Sequence, residues 1–281
     1  MRLWPSALLL VIACGPPPVE PRFDAGRADA GTTRRDAGAM DAGMAGGAGG
    51  GSAGGSAGGM PGPNVPPVVG AAIAAPMTNV FAGQQVPLSI TASDANGDRL
   101  TVTWSQVSPT AEAGTFFENG SATAQRWVSP ETLTPTTYVL RVTVTDNRAP
   151  PESREVSISV RPPRFTEVYS SALGVPVLQG GQCVGCHGTM GNYQVGSTAN
   201  AAWSRIVNVA HNHGAACRNA GVPSLVVPND KNASLLYRKM AGTQPQACGG
   251  VMPLGTTAMP PSPLSALVTI GTWIRLGAPN D

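Results

Sequence analysis

Charge is scarce in this chain of 281 residues. Asp, Glu, Lys and Arg together make up 12 %, and the formal net charge is +2. Aromatic residues are only 5 %, and no basic stripe with interleaved aromatics occurs, which excludes the usual nucleic-acid-binding surface. Long apolar runs are missing too. The run Ala7-Leu8-Leu9-Leu10-Val11-Ile12-Ala13 falls far short of the roughly 20 residues that span a bilayer, so the chain is expected to be anchored to a membrane and not embedded in one. Histidine (3) and cysteine (5) are few enough that each one has to be accounted for.

What is present is concentrated. Cys183-Val184-Gly185-Cys186-His187 places two thiols within about one helical turn, close enough for both sulfurs to reach the vinyl groups on one edge of a porphyrin. His187 follows at once, where its imidazole meets the iron as the proximal ligand. A bare CxxC would leave zinc binding, thiol redox chemistry or a disulfide open. The adjoining histidine makes one covalent haem c the first choice, with a structural or redox-active disulfide as the alternative.

The remaining cysteines follow from the compartment. Met1 to Cys14, with Arg2 ahead of its apolar run, reads as an export signal. Val11-Ile12-Ala13-Cys14 resembles the bacterial lipobox, which implies cleavage before Cys14 and its lipidation; an ordinary signal peptide with an incidental cysteine is the alternative. Gly15 after that cysteine, in place of Asp, implies by the same resemblance the outer membrane over inner-membrane retention. Export puts Cys217 and Cys248 in an oxidising environment, where two leftover thiols pair, so a Cys217–Cys248 disulfide is expected.

Composition divides the rest of the chain. Residues 15–66 repeat Asp-Ala-Gly and then run into Gly, Ala and Ser, a composition that buries too little apolar surface to offset the entropy of ordering. It is expected to be a disordered tether with a span of roughly 40 Å. Residues 67–162 read as all-β. Apolar residues alternate at Val86, Leu88 and Ile90, at Leu100, Val102 and Trp104, at Tyr138 to Val144, and at Val156, Ile158 and Val160, which is the period of half-buried strands. Asn96-Gly97-Asp98 predicts a hairpin. Asp94, Asn96 and Asp98 have the side chains for Ca²⁺, although a plain turn is the preferred reading. Pro66-Pro67-Val68-Val69, Asp94-Ala95-Asn96-Gly97-Asp98 and Val142-Thr143-Val144-Thr145-Asp146 resemble bacterial Ig-like and PKD-type domains. The resemblance implies a β-sandwich with Trp104 as its core tryptophan and Tyr138 at a tyrosine corner. With no cysteine pair in this segment, no inter-sheet disulfide holds it.

Residues 163–281 read as all-α. The pattern predicts helices over Phe165–Leu173, Ala201–Val209, Ala233–Ala241 (capped by Asp230 or Asn232 ahead and Gly242 behind) and Pro263–Leu276, the last with a broad apolar face of Leu264, Leu267, Ile270, Trp273 and Ile274. A haem motif near the start and helices at both ends resemble a monohaem class I cytochrome c. Val226-Val227-Pro228-Asn229-Asp230, Ser234-Leu235-Leu236-Tyr237 and Cys248-Gly249-Gly250-Val251-Met252-Pro253 resemble the cytochrome-c-like domains of bacterial surface lipoproteins. That resemblance implies a distal methionine from a Met-Pro loop before the last helix. Met252 fits, with Met259-Pro260 as its competitor and His211 or His213 as the route to a bis-His iron.

A His/Met iron has no open coordination position, so outer-sphere electron transfer is the expected chemistry, and the chain is read as no enzyme. A peroxidase needs a distal acid/base pair, and none is visible. Seven cations against three acids from Arg164 onward favour an acidic redox partner. The expected function is a membrane-tethered electron carrier. The alternative is a cell-surface or periplasmic interaction lipoprotein in which the haem domain is accessory.

Overall fold

The computed structural model describes residues 63–173, 198–252 and 261–281. Cys14, residues 15–62 of the tether expected over 15–66, the motif Cys183–His187 and Met259 lie outside the described residues. From Asn64 to Asp281 the chain forms one compact unit.

Residues 67–162 form the expected sandwich. Nine strands occur: β1 (Val68–Val69), β2 (Asn79–Phe81), β3 (Gln85–Ser89), β4 (Ala92–Ser93), β5 (Thr101–Ser108), β6 (Thr115–Ser121), β7 (Ala124–Val128), β8 (Thr136–Thr145) and β9 (Glu152–Arg161). One sheet runs β2-β9-β8-β5, the other β3-β7-β6, and β1 pairs with β4. The centre is β8, whose Tyr138, Leu140, Val142 and Val144 are all fully buried. Their period of two sends each into the same core, and each buried aliphatic side chain contributes about 1.5–3 kcal/mol. β2 joins β9 in parallel, with Asn79 opposite Ser159.

Two expectations for this domain are corrected. Trp104 is half-buried at the rim of the core, since β5 is an edge strand, and its indole N–H donates to Ala122 O at 2.9 Å. The fully buried tryptophan is Trp127 on β7, 5.6 Å from the Tyr138 ring. Asn96-Gly97-Asp98 also does not close a hairpin, because β4 pairs with β1 and β5 pairs with β8. The turn itself is real. Asp94 Oδ1 accepts from Asn96 N (2.8 Å) and Asp98 N (3.0 Å), and Gly97 takes φ +75°. Tyr138, expected at a tyrosine corner, has a side-chain partner in place of the corner's backbone one: its hydroxyl meets Thr132 Oγ1 at 2.9 Å. Burial pushes its phenol pKa up.

The C-terminal region is helical. Its elements are α1 (Phe165–Val168), continued by a π-turn (Tyr169–Leu173), then α2 (Ala199–Ile206), α3 (Gly214–Asn219), α4 (Leu235–Ala241), a 3₁₀ turn (Gln246–Cys248) and α5 (Pro261–Arg275). Phe165, Val168, Leu173, Ile206, Ile270, Trp273 and Ile274 form its core, with the Phe165 and Trp273 rings 4.9 Å apart. α2 stops at Ile206, short of the expected Val209, because Val207 turns extended (ψ 122°) and bridges to Val226 while Asn208 takes φ +57°. β-branched Val207 suits that extended pairing. α4 ends as expected on Gly242 in the left-handed conformation, φ +68°. Its N-cap is Ser234, while Asp230 Oδ1 instead accepts from the backbone of Asn232 and Ala233.

α5 also docks on the sandwich. Ser265 Oγ donates to Gly83 O, and Thr269 Oγ1 donates to Ala82 O at 2.9 Å. Gly83 has φ +89°, and a Cβ there would lie 2.5 Å from Ser265 O and 2.7 Å from Thr269 N. Only glycine fits this conformation and this approach. Glu131 receives Lys231 (2.5 Å) and Arg275 (2.8 Å) on its two oxygens.

Candidate functional site

Two places gather chemistry among the described residues. The first is the segment carrying Met252. α4 supplies Lys239 from its last turn, and Gly242 turns the chain back toward the 3₁₀ turn that ends in Cys248. Cys248 is bonded to Cys217 of α3, as expected, across a sequence separation of 31. Both cysteines are fully buried beside Val222 and Leu235. Beyond the disulfide, Gly249 takes φ +79°. A Cβ there would crowd His213 at 3.1 Å and Lys239 Nζ at 3.4 Å. Gln244 Nε2 donates to Gly249 O (3.3 Å), Lys239 Nζ to Gly250 O (3.1 Å), and Met252 N to Lys239 O (3.0 Å). Met252 itself is half-buried. Lys239 is 9 % exposed, and burial holds its ammonium below the ordinary lysine range.

The histidines beside this segment differ in availability. His211 is buried; its Nε2 donates to Val222 O at 2.6 Å and its Nδ1 accepts from His213 N at 3.3 Å. Both ring nitrogens are therefore engaged, in the tautomer protonated on Nε2. His213 stands at the N-terminus of α3. Burial, then the charge of Lys239, hold its pKa below the usual imidazole value. Met252 contributes a thioether, the kind of soft donor that the haem iron expected from the sequence would take. Cys183, Cys186, His187 and the competitor Met259 lie outside the described residues.

The second place is one end of the sandwich. Oxygens of Asp94, Asp98 and Asp146 lie within 4.8 Å of one another, an arrangement of hard donors of the kind Ca²⁺ uses. It is not the trio Asp94, Asn96 and Asp98, the alternative to a plain turn: Asn96 Oδ1 is taken by Val65 N at 2.7 Å, and Asp146, just after β8, stands in its place. Arg148 Nη1 pairs with Asp98 at 2.9 Å, so one of the three charges is already met by a guanidinium. The pKa of Asp146 is held at about 2, because its carboxylate accepts from Ala149 N, Asn64 Nδ2 and Arg148 N. A groove of about 550 Å³ opens beside it, lined by Asp98, Arg99, Thr101, Asp146 and Arg148 among others. The sequence signalled the Asp94 turn. It gave no sign that Asp146, about fifty residues later, closes on it, because that contact depends on strand pairing across the sheet.

Comparison with known proteins bears on the sandwich. Residues 70–160 match the model of the PKD domain. No curated protein matches the chain. Similar solved structures include a nucleoside hydrolase-related hypothetical protein from Saccharophagus degradans that is associated with carbohydrate metabolism. It is 23 % identical over 35 % of this chain and 26 % of that one, with a TM-score of 0.26. The titin M3 domain is 22 % identical over 34 % of this chain and 97 % of its own, with a TM-score of 0.25. The Ig1-2 module of the Drosophila receptor protein tyrosine phosphatase DLAR is 13 % identical over 36 % and 53 %, with a TM-score of 0.27. The PKD-domain match over residues 70–160 agrees with the β-sandwich that those residues form.

Proposed function

We propose that this chain is an interaction protein of the cell envelope whose PKD-type sandwich binds a partner or glycan and whose helical region is a haem-bearing head. The PKD match over residues 70–160 carries the first half. The groove at the Asp98–Arg148 end is the surface proposed for contact, since its polar walls suit hydroxyl and amide groups. Glycan and protein arrays probed with the full chain test this. Binding that survives His187→Ala and is lost in Arg148→Glu supports it, and the absence of any binding overturns it.

The haem half rests on Cys183-Val184-Gly185-Cys186-His187. Cys183 and Cys186 would hold the group by thioethers, while His187 and Met252 would bind its iron. Bound haem c supplies reversible one-electron chemistry. The protein's part is to seat those four side chains and to keep Met252 from wandering, and the engagement of both His211 nitrogens favours the thioether over that imidazole. Lipidation at Cys14 ties the chain to the membrane, the outer membrane being favoured, and the mildly positive head faces an acidic redox partner. The experiment is expression of the full chain with haem-maturation machinery and a visible spectrum of both redox states. Covalent low-spin haem whose far-red Met–iron band disappears in Met252→Ala supports the reading. No covalent haem leaves the motif as a disulfide or metal site and the interaction module as the whole function.

A further inference from the structure

We propose that Lys239 is a positioning residue for Met252: one side chain and its own carbonyl clamp the Gly250–Met252 segment at both ends. The inference rests on the reading of Met252 as distal ligand. The observation behind it is the unusual state of Lys239. A lysine so deeply buried normally pairs with a carboxylate, yet among the described residues Lys239 Nζ meets the neutral Gly250 carbonyl at 3.1 Å. Two residues further on, Met252 N–H returns to Lys239 O at 3.0 Å. A buried ammonium is an expensive way to tie down one carbonyl of a surface loop, so what it fixes has a use beyond the loop. Fixing the peptide on either side of Val251 leaves Met252 little freedom beyond its own side-chain rotations. Gly249 completes the arrangement, because its φ of +79° disfavours any side chain and a Cβ there would sit tightly against His213, at 3.1 Å. The disulfide anchors the segment's start, and Lys239 holds its end.

For a thioether, this matters more than for an imidazole. Methionine is a weak, flexible ligand with three rotatable bonds, so its occupancy of a metal depends on how much freedom its backbone has already lost. Lys239→Met removes the donor and the buried charge at similar volume. Lys239→Arg keeps a cationic donor.

The test uses the full chain carrying covalent haem, with added imidazole as the competing ligand. In Lys239→Met, imidazole is expected to displace Met252 at about tenfold lower concentration, the equivalent of roughly one buried hydrogen bond. The far-red Met–iron band should fade in parallel, and Lys239→Arg should restore most of both. Unchanged imidazole affinity and band in Lys239→Met overturn the inference while leaving the haem reading intact. A wild type without covalent haem, or a far-red band that survives Met252→Ala, overturns the reading and the inference with it. Should Lys239→Met not fold, Lys239→Gln, which keeps a neutral donor of shorter reach, is read by the same two measurements.

Discussion

Removing the Cys217–Cys248 disulfide is the sharpest test of how the helical region is held together. The bond closes a loop with a sequence separation of 31. The chain-entropy relation for a loop of that length gives about 12 cal/mol/K, or about 3.7 kcal/mol at 25 °C, of restriction lifted from the unfolded chain. Both sulfurs are fully buried against Val222, Leu235 and Leu225, so Cys217→Ala/Cys248→Ala also leaves a small void that adds about 1 kcal/mol. The expected total is about 4–5 kcal/mol. In a cooperative unit of this size it lowers Tm by roughly 10–15 °C. Urea denaturation and calorimetry of the full chain measure it, with the single variant Cys217→Ala as a control. That single change already breaks the bond and strands a buried thiol, so it should cost at least as much as the double. A double variant that loses less than about 1 kcal/mol at an unchanged m-value refutes the account. So would single-variant losses that add up to the double, since two cysteines acting through one bond cannot be independent.

Two further outcomes follow from particular contacts. Gly83→Ala places a Cβ at φ +89° against the α5 backbone, so it is expected to cost roughly 2–4 kcal/mol. It should also split a single calorimetric transition into two as α5 leaves the sandwich; an unchanged thermogram counts against the docking. Asp146 has a folded pKa of about 2, below the unfolded value of about 3.9, so the unfolded chain binds the proton more readily. Its contribution to stability is complete above about pH 4 and fades as pH falls toward 2. Asp146→Asn should flatten that part of the stability profile, and urea midpoints between pH 2 and 5 that keep the wild-type slope would rule the assignment out.

Much of the architecture is legible in local pattern. The alternation through Tyr138, Leu140, Val142 and Val144 announces the central strand because a strand inside a sandwich shows one face to one core. Gly242 announces the end of α4 because only the left-handed conformation closes that helix. The disulfide follows from counting cysteines against the compartment expected for an exported chain. What fails is whatever tertiary pairing decides. Trp104 and Trp127 both sit in β-prone runs, and only the sheet order places one at an edge and the other at the centre. Asn-Gly marks a turn reliably, but it does not say whether the flanking strands pair with each other. Asp146 and Lys239 were invisible for a related reason. Each is defined by partners brought near by the fold, Asn64 for one and Gly250 for the other, and no spacing rule connects them.

The breadth of the apolar face on α5 has a structural cause that local pattern does not express. A helix packed against one core needs a stripe of about a third of its circumference. α5 serves two. Ile270, Trp273 and Ile274 enter the helical core, while Val268 packs on the core of the sandwich and Thr269, almost fully buried, hydrogen-bonds to its Ala82 carbonyl. Separating residues 163–281 from the sandwich would bare Val268 and Thr269, remove the carboxylate shared by Lys231 and Arg275, and leave α5 with a face built for a missing neighbour. The helical region therefore does not behave as a freely swinging head. α4 carries Lys239 and packs on α5, α5 is fixed to β-sandwich backbone at Ala82 and Gly83, and the Met252 segment inherits that fixed orientation through Lys239. A partner bound to the sandwich, as proposed above, would consequently be held in a set geometry relative to Met252.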